Sequence, residues 1–347
     1  MSRRTPTLED VAREAGVSRA TVSRVVNGVR NVDPAIQELV HRAIELTGYA
    51  PNRAARSLVI RRAETVALVV SGVGDVADED SRNAFASRVF TDPFFGRVVG
   101  GVVGFLRPRS MHPVLMFAES PEDRQEVLTY LRQGRADGAL VVSTHPDDPL
   151  PAQLAGARLP AVLFARPARL VPLSCVDLDH RAGGRLAARH LLARGCRRPA
   201  TVTGPLDVPA SRERLAGFQE ALAESGVTDA PLAEGGFTLA SGAEAMAALL
   251  ARCPDVDGVF AANDLMAQGA CRLLQERGRR IPEDVAVIGF DDSGVAAACR
   301  PPLTSVRQPV ERMAEEMARL LDAHIRGERT EPASVVFDPQ LVVRDSA

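Results

Sequence analysis

Residues 7–27 read TLEDVAREAGVSRATVSRVVN, a stretch that carries two short helical patterns joined by a glycine turn. Apolar side chains recur from Leu8 to Ala15 at the i, i+3, i+4, i+7 spacing of one helix face, which predicts a first helix over these residues. Thr7 lies where a helix cap is needed, and Asp10 is placed to complete a capping box. The chain therefore begins with a short amphipathic helix.

A second helix is predicted directly after a turn at Gly16, from Arg19 to Val26. Valines at three positions supply its buried side, and its other side is small, polar and basic. That outer side consists of Arg19, Ala20, Ser23 and Arg24. Two short helices with a basic second member are typical of a helix-turn-helix, whose second helix enters the DNA major groove.

A third helix should follow, because Asp33 is a good cap and Pro34 suits the first helical position. Its apolar stripe continues to Gly48. Residues 49–58 then form a break, a cap and barely two helical turns, too short to be stable alone in water. We expect this segment to fold only on a partner.

Charge is distributed unevenly along the chain. Residues 1–62 hold eleven arginines against six acidic residues, a net charge of +5, although the whole chain carries −2. A basic amino-terminal unit can meet phosphate groups, so nucleic acid is the expected partner of this end.

From Glu64 onward, apolar strands alternate with helical stretches, which predicts parallel α/β architecture. Residues 71–91 interrupt this alternation with glycines and acidic residues, and we interpret them as a surface loop. The predicted strands cover residues 66–70, 114–117, 138–142, 161–164, 200–203, 258–261 and 285–288.

The stretch at residues 7–27 resembles the amino-terminal signature of the lac-repressor-type (LacI/GalR) regulators. That resemblance implies that Arg19, Ala20 and Arg24 face base edges. The implied DNA-binding set in this unit is Thr7, Leu8, Ser18, Arg19, Ala20, Thr21, Ser23, Arg24 and Asn27.

Residues 49–58 are similar to the same family's hinge segment, which orders on operator DNA. The resemblance makes Leu58 a wedge in the minor groove. The implied DNA contacts of the hinge are Asn52, Ala55, Arg56 and Leu58.

The remainder, to about Arg344, resembles the periplasmic-binding-protein-like part of that family: two α/β lobes with a ligand, expected to be a sugar, in the cleft. Its motifs include Asp92-Pro93-Phe94-Phe95, Arg212-x-Arg214-x-x-Gly217-Phe218 and Gly289-Phe290-Asp291-Asp292. Polar groups would grip hydroxyls and aromatic rings would cover an apolar sugar face. The expected effector residues are Phe94, Phe95, Phe164, Arg214, Asn263, Asp291 and Gln308.

One position departs from the family pattern. His180 stands where many members have asparagine, and we interpret it as a packing or capping residue rather than a proton shuttle.

The resulting prediction is a multi-domain protein: an all-α helix-turn-helix head (1–48), a hinge and linker (49–62), and a two-lobed α/β effector and dimerisation domain (63–347). We expect a dimeric regulator, most simply a repressor, that binds near-palindromic operator DNA in the cytoplasm. Five scattered cysteines without C-x-x-C spacing argue against a disulfide set or metal site, and no cofactor is expected.

Two other functions were considered. A transport-type solute-binding protein would share the two lobes, but it needs export and no DNA-binding head. A sugar-active or other enzyme finds no support, because the chain has no P-loop, no G-x-S-x-G and no HExxH motif. The sequence leaves open the effector's identity, the operator and whether the effector releases or promotes DNA binding.

Overall fold

The computed structural model describes residues 6–26, 32–49, 62–72, 86–87, 89–143, 145 and 147–347. The chain divides into two compact units, Met1–Glu64 and Thr65–Ala347. Several predicted DNA contacts lie outside the described residues: Asn27, Asn52, Ala55, Arg56 and Leu58.

The amino-terminal unit contains α1 (Leu8–Ala15), α2 (Arg19–Val26) and α3 (Pro34–Thr47), with the bounds that the caps predict. Both the backbone N–H and the hydroxyl of Thr7 donate to the Asp10 carboxylate, at 2.9 and 2.8 Å. Gly16 ends α1 with φ = 66°, a left-handed conformation that glycine adopts without steric cost. The three helices enclose a small core centred on fully buried valines from each of them, Val11, Val22 and Val40.

The larger unit contains two lobes, each built on a six-stranded sheet. The first lobe has the strand order β11-β5-β4-β3-β1-β2. Its strands, all paired in parallel, are β1 (Thr65–Ser71), β2 (His112–Ala118), β3 (Ala139–Ser143), β4 (Ala161–Phe164), β5 (Ser174–Leu178) and β11 (Ser334–Phe337). Its helices are α4 (Pro93–Leu106), α5 (Pro121–Arg132), α6 (Leu150–Gly156) and α12 (Val310–Ile325), and a 3₁₀ turn spans Arg107–Arg109.

The second lobe has the strand order β12-β10-β9-β8-β6-β7. Its strands are β6 (Pro199–Thr203), β7 (Leu232–Glu234), β8 (Gly258–Ala261), β9 (Ala286–Asp291), β10 (Thr304–Arg307) and β12 (Gln340–Val342), of which β12 alone runs antiparallel to its neighbour. Its helices are α7 (His180–Ala193), α8 (Pro209–Glu224), α9 (Leu239–Arg252), α10 (Asp264–Glu276) and α11 (Gly294–Ala298).

The chain passes between the lobes three times: from β5 to α7, from β10 to α12, and from β11 to β12. Near one of these crossings the Asp179 N–H donates to the Phe337 carbonyl at 2.9 Å. Parallel strands present their carboxyl ends at one edge of a sheet, which is where open α/β folds bind ligands. The fold therefore predicts a site between the two lobes.

The structure corrects the loop predicted for residues 71–91. Ser71 is the buried last residue of β1, and its hydroxyl donates to the Ala118 carbonyl at 3.1 Å. The described residues at the other end, 86–87 and 89–91, are helical, and Val89 is buried against Val70. Non-local packing makes these ends regular, and residues 73–85 lie outside the described part.

Candidate functional site

The outer face of α2 forms the candidate DNA-binding surface. Arg19, Ala20 and Arg24 are exposed there, and Ser23 is half-buried beside them. Spacings of one, four and five residues place all four on one side of a helix. The face therefore combines two guanidinium groups with small side chains that allow close approach to base edges.

Residues around this face hold the helices in place. The Ser18 hydroxyl accepts the Thr21 N–H at 3.1 Å and so caps α2. Arg19 also pairs with Glu9 of α1 at 3.0 Å. Leu8, also predicted to contact DNA, is partly buried and packs on the core of this unit, because it belongs to the apolar face of α1. Ser18, a predicted DNA contact, therefore also has a structural role as the cap of α2.

The predicted effector residues come together in the larger unit. They line one cavity of about 760 Å³ between the lobes: Phe94, Phe95, Phe164, Arg214, Asn263, Asp291 and Gln308. They arrive from the start of α4, the end of β4, α8, the end of β8, the end of β9 and the segment after β10. Residues far apart in sequence thus converge because parallel strands end at a common edge.

Aromatic rings form the first-lobe side of this cavity. Phe94 meets Phe95 and Phe164 edge to face, with ring centroids 5.2 Å apart in both pairs. Edge-to-face packing fixes the ring planes. Phe237, which the sequence reasoning missed, adds a ring from the second lobe. These rings are rigid apolar surfaces of the kind that cover the C–H face of a sugar.

Arg214 is the central cation of the cavity and is 6% exposed. Its Nη1 donates to the Ala262 carbonyl, its Nη2 lies 3.5 Å from Gln308 Oε1, and its guanidinium stacks 3.7 Å above the Phe290 ring. Burial lowers the pKa of Arg214, an effect that the Asp291 carboxyl opposes. Arginine stays protonated in proteins, so a fixed positive charge faces the cavity.

Two carboxyl groups lie near that charge. Burial raises the pKa of Asp291 to about 8, and it raises the pKa of Asp264 to about 6. Asp264 is held by Ser305 Oγ at 2.6 Å and by the N–H and hydroxyl of Ser293. At pH 7 burial therefore favours the neutral form of Asp291, which can both donate and accept hydrogen bonds.

Two of the predicted residues are already engaged within the protein. Asn263 Oδ1 caps α10 by accepting the Met266 N–H at 2.9 Å, and its Nδ2 donates to the Phe237 carbonyl at 3.0 Å. Gln308 Nε2 approaches the Met313 sulfur at 3.8 Å. Asn263 therefore shapes the wall of the cavity through its cap as well as lining it.

Two further residues were not identified as part of the site from the sequence. Arg97 of α4 donates across the cleft to the carbonyls of Asp291 and Gln308 at 2.8 and 3.0 Å, and it pairs with Glu311 at 2.7 Å. His180 lines the cavity and accepts a hydrogen bond from Arg214 Nε at 3.2 Å. The cap of α7 is Asp179, so the capping role considered for His180 belongs to its neighbour. Neither contact has a local sequence signal.

A second cavity of about 660 Å³ adjoins the first. The two share Ser143, His145, Phe164, Ala165, His180, Val208 and Ala210 in their linings. At its rim Arg169 pairs with Asp147 at 3.3 Å, and Arg181 pairs with Glu213 at 2.9 Å. Paired charges offer donors and acceptors without a net charge, which suits a neutral polyhydroxyl compound.

Metal chemistry finds no support in the described part of the chain, where no group of three or more His, Cys, Asp or Glu side chains could hold an ion. None of the helices described here is long and apolar enough to span a bilayer.

Family models match both units. Residues 7–52 match the model for bacterial regulatory proteins of the lacI family, and residues 188–347 match a periplasmic binding protein-like domain. The chain is 48% identical to the HTH-type transcriptional regulator CelR of Thermobifida fusca, with 99% of each chain covered. It is 32% identical to the ribose operon repressor of Escherichia coli (strain K12) over 98% of this chain and 99% of the relative.

Solved structures agree with these relatives. A CelR–cellobiose complex is 46% identical with a TM-score of 0.74, covering 99% of this chain and all of that one. The lac repressor dimer bound to operator and the anti-inducer ONPF superposes with a TM-score of 0.83 at 26% identity, covering 99% of both chains. Both likenesses extend over the head and the two lobes.

Proposed function

Since this chain belongs to the lacI family of bacterial regulatory proteins and is a DNA-binding transcriptional regulator, we propose that a sugar of the cellobiose type is its effector. The sugar would bind between the lobes and change the affinity of the head for operator DNA. The single observation that carries this proposal is the convergence of Arg214, Asp291 and Gln308 with three phenylalanines in one cavity.

The chemistry of that cavity fits a glucosyl ring. A pyranose has apolar faces and a rim of hydroxyl groups, each both donor and acceptor. Phe94 and Phe164 supply rigid rings for the faces. Arg214 supplies donors, and a neutral Asp291 supplies a donor and an acceptor for the rim. The CelR relative, solved with cellobiose, makes a β-linked glucose disaccharide the first compound to test.

The head would read DNA through α2, with Arg19, Ala20 and Arg24 at base edges and Thr21 and Ser23 at phosphates. The lac repressor is solved as a dimer on its operator, and we infer the same arrangement here, with two copies on a near-palindrome. Asn52, Ala55, Arg56 and Leu58 would complete the contact as a hinge, with Leu58 in the minor groove. A regulator of chromosomal genes works in the cytoplasm.

A catalytic function is not part of the proposal. The relatives are transcriptional regulators, and no enzyme family is indicated. A transport role would not explain the exposed basic face of α2, which is suited to DNA binding.

The effector assignment is tested by calorimetric titration of cellobiose into the full-length protein, with ribose and lactose as comparison sugars. Arg214→Ala should weaken cellobiose binding about 10- to 100-fold, the range expected when a charged hydrogen-bond donor is lost. Arg189→Ala removes the same charge from an exposed position on α7 and should leave binding unchanged. Failure of the wild type to bind any glucose oligosaccharide, or full affinity in Arg214→Ala, would overturn the proposal.

A further inference from the structure

We propose that His180 is a positioning residue: its neutral imidazole holds the Arg214 guanidinium in the orientation that the effector meets, and Asp177 fixes which ring nitrogen carries the proton. The inference rests on the proposed effector site. It adds that the His180–Asp177 pair determines whether the Arg214 guanidinium is held in the orientation that binds the effector.

The hydrogen bonds define the tautomer of the imidazole. Arg214 Nε lies 3.2 Å from His180 Nδ1, and a guanidinium can only donate. His180 Nδ1 must therefore be the unprotonated, accepting nitrogen. The proton of the neutral ring then sits on Nε2, which lies 3.5 Å from Asp177 Oδ1. Asp177 is itself fixed, because its Oδ1 accepts the Leu178 N–H at 2.9 Å.

The other contacts of Arg214 show what His180 adds. Its two terminal nitrogens face the Ala262 carbonyl and Gln308, and its plane stacks on Phe290. A planar group stacked on a ring can still turn within its own plane. The hydrogen bonds at Nη1, Nη2 and Nε together remove that freedom, and the one at Nε depends on His180. His180 also packs on Phe290, with ring centroids 5.9 Å apart. Four different directions thus fix the guanidinium.

Charged groups surround the imidazole on several elements. Asp177 of β5 and Asp179 before α7 favour its protonation, whereas Arg214 of α8 opposes it. Asp291 at the end of β9 and Asp264 of α10 act on the Arg214 side. Burial and the Arg214 charge outweigh the carboxylates and lower the pKa of His180, so the ring is neutral at pH 7.

Protonation would reverse the contact. A proton on Nδ1 would face the Arg214 Nε–H, and two donors on two cations repel one another. Arg214 would then leave its place, and the effector would lose its main charged donor. Because the His180 pKa is lowered, this loss is expected on acidification below the ordinary histidine range.

Two substitutions separate this role from simple packing. In His180→Asn the side-chain Oδ1 can occupy the position of Nδ1 and accept from Arg214, but it does not titrate. His180→Ala removes the acceptor altogether. Cellobiose affinity, measured by calorimetry from pH 5 to 8, should be within about threefold of wild type for His180→Asn at pH 7.5 and about tenfold weaker for His180→Ala. On acidification the wild type should lose affinity relative to His180→Asn.

A second measurement needs no ligand. The protected Nε–H of Arg214 gives an arginine side-chain resonance in ¹⁵N-labelled protein, assigned by its loss in Arg214→Ala. The signal should persist in His180→Asn, broaden in His180→Ala, and broaden on acidification in wild type alone. Equal affinity and equal Arg214 signals in folded His180→Asn and His180→Ala, or a wild-type pH profile parallel to that of His180→Asn, would overturn the proposal. Failure of cellobiose to bind the wild type would refute the effector assignment, and the resonance would still test His180.

Discussion

Replacing Gly217 with alanine should destabilise the larger unit and weaken effector binding together, because α7 and α8 touch backbone to backbone. A Cβ built on Gly217 would lie 1.9 Å from the Arg181 carbonyl oxygen, and one on Gly184 would lie 2.0 Å from the Arg214 carbonyl oxygen. Real Cβ contacts essentially never fall under 3.0 Å. The alanine therefore has to push the helices apart by about 1 Å.

The size of the effect follows from what that separation disturbs. Phe218, fully buried next to Gly217, stacks on Phe260 with ring centroids 5.3 Å apart. Forced overpacking costs about 1–3 kcal/mol, and the higher helix propensity of alanine returns up to about 1 kcal/mol. Subtracting about 1 kcal/mol from a mid-range cost of about 2 kcal/mol leaves a net loss of about 1 kcal/mol, which corresponds to a melting temperature about 2–4 °C lower. The 3.2 Å contact between Arg214 Nε and His180 would lengthen beyond hydrogen-bonding distance.

Calorimetric melting and cellobiose titration measure both consequences in one preparation. Gly156→Ala is the matched control, because Gly156 is also helical and a Cβ there meets nothing within 4 Å. The control should melt at or above the wild-type temperature and bind normally. A Gly217→Ala protein that melts like the control and binds cellobiose with unchanged affinity would refute the close-packing argument.

Three further outcomes are expected. Arg24→Ala should reduce the difference in binding free energy between operator and scrambled DNA by about 1–3 kcal/mol in a gel-shift assay. Arg13→Ala on α1 should leave that difference unchanged, and an unchanged difference in Arg24→Ala would refute the base-reading assignment. Burial raises the pKa of Asp291 to about 8, so between about pH 4 and 8 this carboxyl group is more protonated in the folded protein than in the unfolded chain, and its contribution to the unfolding free energy falls as pH rises. Asp291→Asn removes that contribution, so the melting temperature of the wild type relative to that of the variant should fall as pH rises across this range, and parallel curves would contradict the assignment. Cellotriose should bind at least as tightly as cellobiose, because the second cavity adjoins the first. Any gain in affinity of cellotriose over cellobiose should disappear when Arg169 and Asp147 are both replaced by alanine, and failure of cellotriose to bind would show that the two cavities are not joined in solution.

Local signals account for what the sequence predicted well. The caps at Thr7, Asp33 and Gly16 act within a few residues of themselves, so the bounds of the first three helices could be predicted. The seven predicted effector residues converge because each ends or follows a strand, or lies in the first two turns of a helix, in a parallel α/β pattern. Such positions meet at one edge of a sheet whatever the loop lengths.

Non-local contacts account for what was missed. Arg97 acts on Asp291 and Gln308, about two hundred residues further along the chain, and nothing near Arg97 indicates those partners. The sequence alone indicates a packing residue at His180, because its hydrogen bond with Arg214 depends on where α8 lies in the fold. The helical end of the 71–91 segment depends on Val89 packing beside Val70, across a stretch whose composition is typical of a loop.

Cellobiose bound in the cleft is proposed to control operator binding. The most direct test uses a labelled near-palindromic DNA that is first selected from a random library by binding to the full-length protein. This DNA is then titrated with the protein at rising cellobiose concentrations, and binding is followed by fluorescence anisotropy. We expect saturating cellobiose to change the operator Kd about 5- to 150-fold, with the direction of change giving the sign of regulation, and we expect Arg214→Ala to bind operator without that response. An operator Kd that is the same with and without saturating cellobiose, or a full response in Arg214→Ala, would contradict the account.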